Sequence, residues 1–262
     1  MNSPALQLPL LFISDVHLGG FSDTKNERIE SELIQLINYC QRNGIRLAVL
    51  GDLFDYWMEY PGGVPKLGNK LLDRFEDFNR QLGPTLYITG NHDNWTRNHF
   101  KDRGFYLVHE HYQFNIDDKE VLALHGDGLA NPKYKLKRPL MHRILRNPQF
   151  IKLFQRIFPP QTGNTIMKYF SRITRKMDWD TRKEDQLNNW AKHQLKNSDI
   201  EVILTGHDHI PRRKQFPFGT YINLGTFYNH QTMVYYNNDG FSLVCWRPEL
   251  QTLKKFEPST YK

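Results

Sequence analysis

Five short clusters in the chain combine side chains that hold divalent metals: Asp15-x-His17, Gly51-Asp52, Gly90-Asn91-His92-Asp93, His125-Gly126-Asp127 and Gly206-His207-x-His209. Imidazole, carboxylate and amide oxygen form a borderline-hard donor set suited to manganese, iron or zinc, and the clusters lack the thiolates of a structural zinc site. Glycines beside the donors permit the tight turns that aim several side chains at one point. Two divalent ions about 3.5–4 Å apart need a bridging carboxylate, and Asp52 is the candidate. Each cluster alone is weak. A histidine at a strand end is more often a hydrogen-bonded or surface group, and Gly-Asp is usually just a turn. Five such clusters in order, each after an apolar segment, are not explained that way.

The clusters need elements to position them. Leu10–Ser14 is an apolar run that opens into the first cluster and reads as a buried strand. Arg46–Leu50 runs into Gly51-Asp52, Thr85–Thr89 into Gly90-Asn91, Val121–Leu124 into His125, and Glu201–Leu204 into Gly206-His207, with Tyr106–Val108 a further strand. Ile29, Leu33, Leu36, Ile37 and Cys40 recur at helical spacing up to Gly44, Leu71, Leu72, Phe75, Phe78 and Leu82 mark a second helix, and Gln186–Leu195 marks another. Met233–Tyr236 and Phe241–Trp246, joined through Asn237-Asn238-Asp239-Gly240, predict a terminal hairpin. Strands alternating with helices predict an α/β layered fold, in which sites gather where strands end.

With 262 residues, 39% of them hydrophobic, the chain can form one large domain with an insertion or two small ones. Its mean hydropathy is −0.65 and Leu10–Ile13 is the longest early apolar run. Neither suits a membrane span, which takes about 20 apolar residues, or a signal peptide. Cys40 and Cys245 outline no disulfide framework and no metal site, so a reducing cytosol is the expected compartment. The net charge of +7 is uneven: Lys133 to Lys183 holds 14 Lys/Arg against two acids, Asp178 and Asp180, while the remainder holds 21 bases and 26 acids. Such a basic segment calls for an anionic partner: nucleic acid, a membrane surface or a phosphorylated ligand.

The segment is also patterned. Phe150, Ile151, Leu153, Phe154, Ile157 and Phe158 share one helical face, with Arg146, Lys152 and Arg156 largely elsewhere. Ile166, Met167, Tyr169, Phe170, Ile173 and Met177 repeat the arrangement after a Pro159-Pro160 break. Two basic amphipathic helices can pack as a hairpin, bind nucleic acid or lie on a membrane. Apolar and aromatic residues ringed by Lys and Arg also suit a substrate with acyl chains and phosphates.

The ordered clusters resemble the calcineurin-like metallophosphoesterase superfamily, over roughly Leu11 to Leu224. The resemblance implies that superfamily's α/β architecture, a β-sandwich flanked by helices, as one domain over residues 1–262 with a basic helical cap inserted at about 130–184. It implies one metal held by Asp15, His17 and His209, a second held by Asn91, His125 and His207, and Asp52 bridging both. Every ligand position is filled, which favours an enzyme over a binding scaffold. Ions so held would activate water for in-line attack on phosphorus and neutralise charge on the phosphoryl oxygens. His92, like the matching histidine of the superfamily, is expected to face the substrate and stabilise charge or protonate the leaving oxygen, with Asp93 orienting it. For Asp93 and Asp127 the preferred reading is support of the ligands from behind.

Within the superfamily, Asp52-Leu-Phe-Asp-Tyr-Trp57, His125-Gly-Asp-Gly-Leu129 and the insert beginning near Tyr134-Lys-Leu-Lys137 are similar to UDP-2,3-diacylglucosamine hydrolase. That resemblance implies manganese and a substrate that is an acylated UDP-sugar. It also implies cleavage of the pyrophosphate to UMP and 2,3-diacylglucosamine 1-phosphate in lipid A biosynthesis. The inserted helices would accommodate acyl chains, and the enzyme would sit in the cytoplasm, peripherally on the anionic face of the inner membrane. The proteobacterial branch of that family has arginine where this chain has His92. The alternative is a metal-dependent phosphodiesterase or nuclease using the basic segment for phosphate backbones. The apolar and aromatic content of the insert weighs against a nucleic-acid partner, as it does against a protein phosphatase.

Overall fold

The apolar runs become strands and the 3.6-residue patterns become helices. The computed structural model describes residues 8–177 and 181–257; the side chains of Phe170 and of residues 172–184 lie outside that description, and with them the expected apolar positions Phe170, Ile173 and Met177. In chain order the elements begin β1 (Leu10–Ile13), α1 (Asp23–Arg42), β2 (Arg46–Leu50), α2 (Asn69–Leu82), β3 (Leu86–Ile88), α3 (His99–Asp102), β4 (Tyr106–Val108), β5 (His111–Ile116) and β6 (Lys119–Leu124). Four helices follow, α4 (Leu140–Leu145), α5 (Pro148–Ile157), α6 (Pro160–Met177) and α7 (Thr181–Lys196). The chain then returns to strands with β7 (Val202–Thr205), β8 (Arg212–Phe216), β9 (Gly219–Asn223), α8 (Phe227–His230), β10 (Thr232–Asn237), β11 (Gly240–Arg247) and β12 (Thr252–Lys255).

The strands form two sheets, a seven-stranded one ordered β12-β11-β10-β1-β2-β3-β4 and a five-stranded one ordered β5-β6-β7-β9-β8. The strands β1 to β4 run parallel in the first, as do β6, β7 and β9 in the second. Alternation across each strand explains the unbroken apolar runs. Leu10, Phe12, Ala48 and Leu50 face Val121, Ala123, Val202 and Leu204 of the other sheet in one shared core. Leu11, Ile13, Leu47 and Val49 turn the other way, onto Leu33, Leu36 and Ile37 of α1 and Phe75 and Phe78 of α2. On the far side Leu122, Leu124 and Ile203 pack on Leu187, Trp190 and Ala191 of α7. The result is a sandwich of two sheets with helices on both outer faces, the α/β architecture expected.

Several boundaries differ from the sequence reading. The first strand stops at Ile13 because Ser14 turns its hydroxyl onto Leu50 O and Asp15 Oδ2. The helix expected over Gln186–Leu195 starts earlier, at Thr181. Hairpin β10–β11 forms as expected, pairing Asn237 with Gly240, which has a positive φ of 90°. Hairpin β5–β6 turns at Asp117-Asp118, both left-handed, as a two-residue hairpin turn requires. The edge strands β8 and β12 carry polar sequences such as Arg212-Arg-Lys-Gln-Phe216, which show no apolar run.

The insertion between β6 and β7 breaks at Pro159-Pro160 as expected, with α5 ending at Ile157 and α6 beginning at Pro160. Its apolar face divides in two. Phe150, Ile151, Phe154 and Met167 pack around Met58, Tyr60 and Trp95, whereas Leu153 and Ile157 stay more than half exposed.

Phe12 is the central test of the sandwich, since its ring lies 6.3 Å from Phe114 of the facing sheet and 6.4 Å from Phe241. Phe12→Ala should cost about 3–5 kcal/mol in chemical denaturation. A loss under about 1 kcal/mol would mean that the sheets do not meet through that residue.

Candidate metal centre

The parallel strands of both sheets end on one side of the sandwich, and the five clusters follow those ends. Asp15 and His17 follow β1, Asp52 follows β2, Asn91 and His92 follow β3, His125 follows β6, and His207 and His209 follow β7. The backbone needed to turn these side chains inward is unusual. Five of the ten non-glycine residues with positive φ among the described residues are candidate ligands: Asp15, His17, Asp52, His207 and His209, with φ from 49° to 72°. Side chains disfavour that region, at about 1–3 kcal/mol each, unless the surroundings over-determine it. Close packing adds a further requirement, because a Cβ on Gly90 would collide with Asp52 Oδ1.

The donor atoms converge on two adjoining places. In the first, His17 Nε2 lies 3.6 Å from Asp15 Oδ1, 3.2 Å from His209 Nε2 and 3.7 Å from Asp52 Oδ2. In the second, His125 Nε2 lies 3.3 Å from Asp52 Oδ2 and 3.1 Å from Asn91 Oδ1, and the His207 ring stands 5.1 Å from that of His125. Asp52 Oδ2 thus belongs to both. Donors about 2.0–2.2 Å from one ion are spaced in this way around it.

Four of the ligand candidates are held from behind, leaving one atom facing inward. Asp15 Oδ2 accepts hydrogen bonds from the Ser14 hydroxyl (2.6 Å) and His207 N (3.0 Å), whereas Asp15 Oδ1 is buried without a well-formed hydrogen bond. Asp52 Oδ1 accepts from His92 N (3.0 Å). His125 Nδ1 donates to Leu50 O (2.8 Å), and His17 Nδ1 sits 3.3 Å from Asp55 Oδ1, so both rings present Nε2 to the centre. Imidazole backed by a carbonyl or carboxylate is the usual arrangement of a metal ligand. A buried, orphaned carboxylate oxygen among inward-facing imidazoles therefore fits a pair of divalent cations.

The electrostatics agree. Burial pulls the His17 imidazole down, yet Asp15, Asp55 and Asp52 push it up to about 10. Burial likewise opposes protonation of His125, and the Asp52 carboxylate pushes it up to about 10. Burial would raise Asp15 and Asp52, but the surrounding histidines hold both well below the usual carboxylate range. Negative charge is thus built into the site, which suits cations.

A family model described as calcineurin-like phosphoesterase matches residues 8–211. The chain belongs to that family. It is accordingly a hydrolase whose clustered Asp and His residues suit divalent metals. The phosphoesterase is similar to UDP-2,3-diacylglucosamine hydrolase of Vibrio parahaemolyticus, with 26% identity over 249 residues, 89% of this chain and 96% of the relative. It is 24% identical to the protein of the same name from Porphyromonas gingivalis, over 77% of this chain and 83% of the relative. A third of that name, from Coxiella burnetii, is 23% identical over 92% of this chain and 98% of the relative.

Asp93 lies in the turn behind Asn91. Its carboxylate accepts from Leu53 N (2.8 Å), the Tyr87 hydroxyl (2.6 Å) and Gly90 N (2.7 Å), so it braces the turn that carries Asn91 and does not orient His92. His92 is instead held by Asp55 O (2.8 Å) and Ser171 Oγ (3.0 Å) at its Nδ1, with Nε2 4.0 Å from Asp52 Oδ2. Asp127 pairs with Arg146 and Arg138. Burial raises its carboxyl, but Arg146, His125 and Arg138 bring it down to about 2. Arg146, counted in the sequence only as part of a basic stretch, donates to both Asp127 oxygens and to Gly90 O (2.8 Å). Ser171 and Arg146 carry no local pattern that marks them. Asp55 alone stands inside a motif, Asp52-Leu-Phe-Asp55.

Because His17 and His125 hold protons up to about 10 without metal, ion binding near neutral pH must displace those protons. Calorimetry of manganese binding in buffers of different ionisation enthalpy should show proton release, and affinity should rise with pH. Asp52→Ala should lose more bound metal than Asn91→Ala, since Asp52 faces both groups of donors. Equal retention in the two variants would remove the bridging role.

Proposed function

We propose that this phosphoesterase hydrolyses the pyrophosphate of UDP-2,3-diacylglucosamine, yielding UMP and 2,3-diacylglucosamine 1-phosphate, with two manganese ions. The seven side chains that would hold them are Asp15, His17, Asp52, Asn91, His125, His207 and His209. The observation that carries this reading is the helical cover over the centre. A small cavity of about 20 Å³ is lined by Asn91 and His92 of the site, His142 and Leu145 of α4, and Met167 and Ser171 of α6. The outer side of the same insertion exposes Leu140, Met141, Leu153, Ile157 and Tyr169. Apolar surface of this kind suits an acylated substrate better than a phosphodiester backbone, and relatives named for that substrate, aligned over most of the chain, support it.

Bound at the centre, two divalent ions supply an activated water and neutralise charge on the phosphoryl oxygens. The protein supplies position and exclusion. Leu145 and Met167 keep bulk water from the reacting phosphate, which strengthens every polar interaction there. His92 lies on the cavity wall with Nε2 toward Asp52, where it stabilises the departing sugar phosphate or passes it a proton. Asp93 and Asp127 hold the loops that carry Asn91 and His125.

The same reading places the enzyme in the cytoplasm, against the anionic inner membrane that holds its substrate. Arg143, Lys152 and Arg156 are exposed beside the outward apolar residues, a pairing that favours peripheral attachment. No described helix is long and apolar enough to cross a membrane.

Purified enzyme with manganese should turn over UDP-2,3-diacylglucosamine far faster than a small chromogenic phosphodiester, and the reverse preference would favour the phosphodiesterase or nuclease reading. His92→Ala should keep its metal and lose about 10²–10⁴-fold in rate. Metal loss as large as in His125→Ala would make His92 a ligand or support instead.

Binding to anionic vesicles should weaken as ionic strength rises. Neutralising Lys152 and Arg156 together should cost about 2 kcal/mol of that binding. Salt-independent binding, or none, would count against peripheral attachment.

A further inference from the structure

Asp55 and Ser171 form a buried knot between the metal loops and the inserted helix α6. Ser171, 4% exposed, places its hydroxyl 2.7 Å from Asp55 Oδ2, 2.7 Å from Asp55 O and 3.0 Å from His92 Nδ1. His92 Nδ1 is also 2.8 Å from Asp55 O. A carbonyl oxygen only accepts, so this ring nitrogen carries the hydrogen, and Nε2 is the nitrogen turned toward Asp52. Ser171 can share that N–H as a second acceptor while its own hydrogen goes to Asp55 Oδ2. The other Asp55 oxygen, Oδ1, lies 3.3 Å from His17 Nδ1, behind a candidate metal ligand. One carboxylate therefore touches a ligand on one side and the inserted helix on the other, while its carbonyl holds the residue proposed to act on the leaving group. Earlier on the same helix, Gly163 lets the backbone lie against Tyr60, whose hydroxyl a Cβ would strike.

We propose that Ser171 is a positioning residue: through Asp55 it fixes the tautomer and facing of His92, so the site is complete only when α6 is seated. The inference rests on the role given to His92, but not on the acylated substrate. A hydroxyl in this place could instead contact the substrate or merely fill space, and the three roles make different demands. Positioning acts through His92 and disappears when the imidazole is gone. Substrate contact raises KM whether or not His92 is present. Space-filling changes stability and leaves a volume-conserving variant unharmed.

The test is a double-mutant cycle with Ser171→Ala and His92→Ala, using manganese-loaded enzyme and bis(4-nitrophenyl) phosphate, a substrate that needs no apolar cover. Ser171→Ala should keep its metal and its KM and lose about tenfold in kcat, the scale of one lost hydrogen bond. In the His92→Ala background the same change should cost less than about twofold, and Ser171→Thr should restore most of the rate. Should the alanine variant not fold, Ser171→Cys keeps the volume while weakening the hydrogen bond, and permits the same comparison. A Ser171 defect that persists in full without His92, or that falls on KM, would overturn the inference while leaving His92 its role. Unchanged turnover in His92→Ala would overturn both.

Discussion

Two carboxylates, Asp15 and Asp52, stand almost fully buried within reach of the same imidazole, and the rest of the molecule is arranged around that fact. A buried anion is costly unless it is hydrogen-bonded and compensated by positive charge. Each carboxylate here meets the first condition with one oxygen, through Ser14 and His207 N for Asp15 and through His92 N for Asp52. The second condition falls to the other oxygen, which faces histidines. Protons on His17 and His125 satisfy it in the free protein, and divalent ions would satisfy it with greater charge.

Meeting these conditions takes backbone that a chain avoids elsewhere. Left-handed conformations at Asp15, His17, Asp52, His207 and His209 have to be imposed by something stiffer than a loop. The sandwich provides that stiffness. Its strands are buried on both faces, and those carrying the ligands run parallel and stop together. Short polar ties then close the turns: Asp93 to Gly90 N and Leu53 N, and Leu50 O to the ring of His125.

Legibility in the sequence tracks the range of the interactions involved. Strands such as Arg46–Leu50 and Val202–Thr205 announce themselves by apolar runs, because burial on both faces leaves nothing polar to interrupt them. The ligand clusters are legible because each occupies a few residues at a strand end. The edge strand Arg212–Phe216 is not, since half its side chains meet water. Ser171 and Asp55 meet across 116 residues, and no local spacing foretells a contact of that kind. Helical periodicity marked the apolar face of Phe150–Phe158, but it could not say that Phe150 and Phe154 pack on Trp95 while Leu153 and Ile157 face outward.

Arg146 closes the arrangement. It leaves the end of α4 and reaches across to Thr89 O, Gly90 O and both oxygens of Asp127. The inner surface of the insertion is therefore a rafter of the metal loops, unable to shift without dragging Asn91 and His125 along. Its outer surface bears no such burden. Residues such as Leu140, Leu153 and Ile157 can be exchanged for longer, shorter or more polar ones without moving a single ligand. The supports of the candidate ligands and the exposed apolar residues lie on opposite sides of the same helices, so the second set can change while the first stays put.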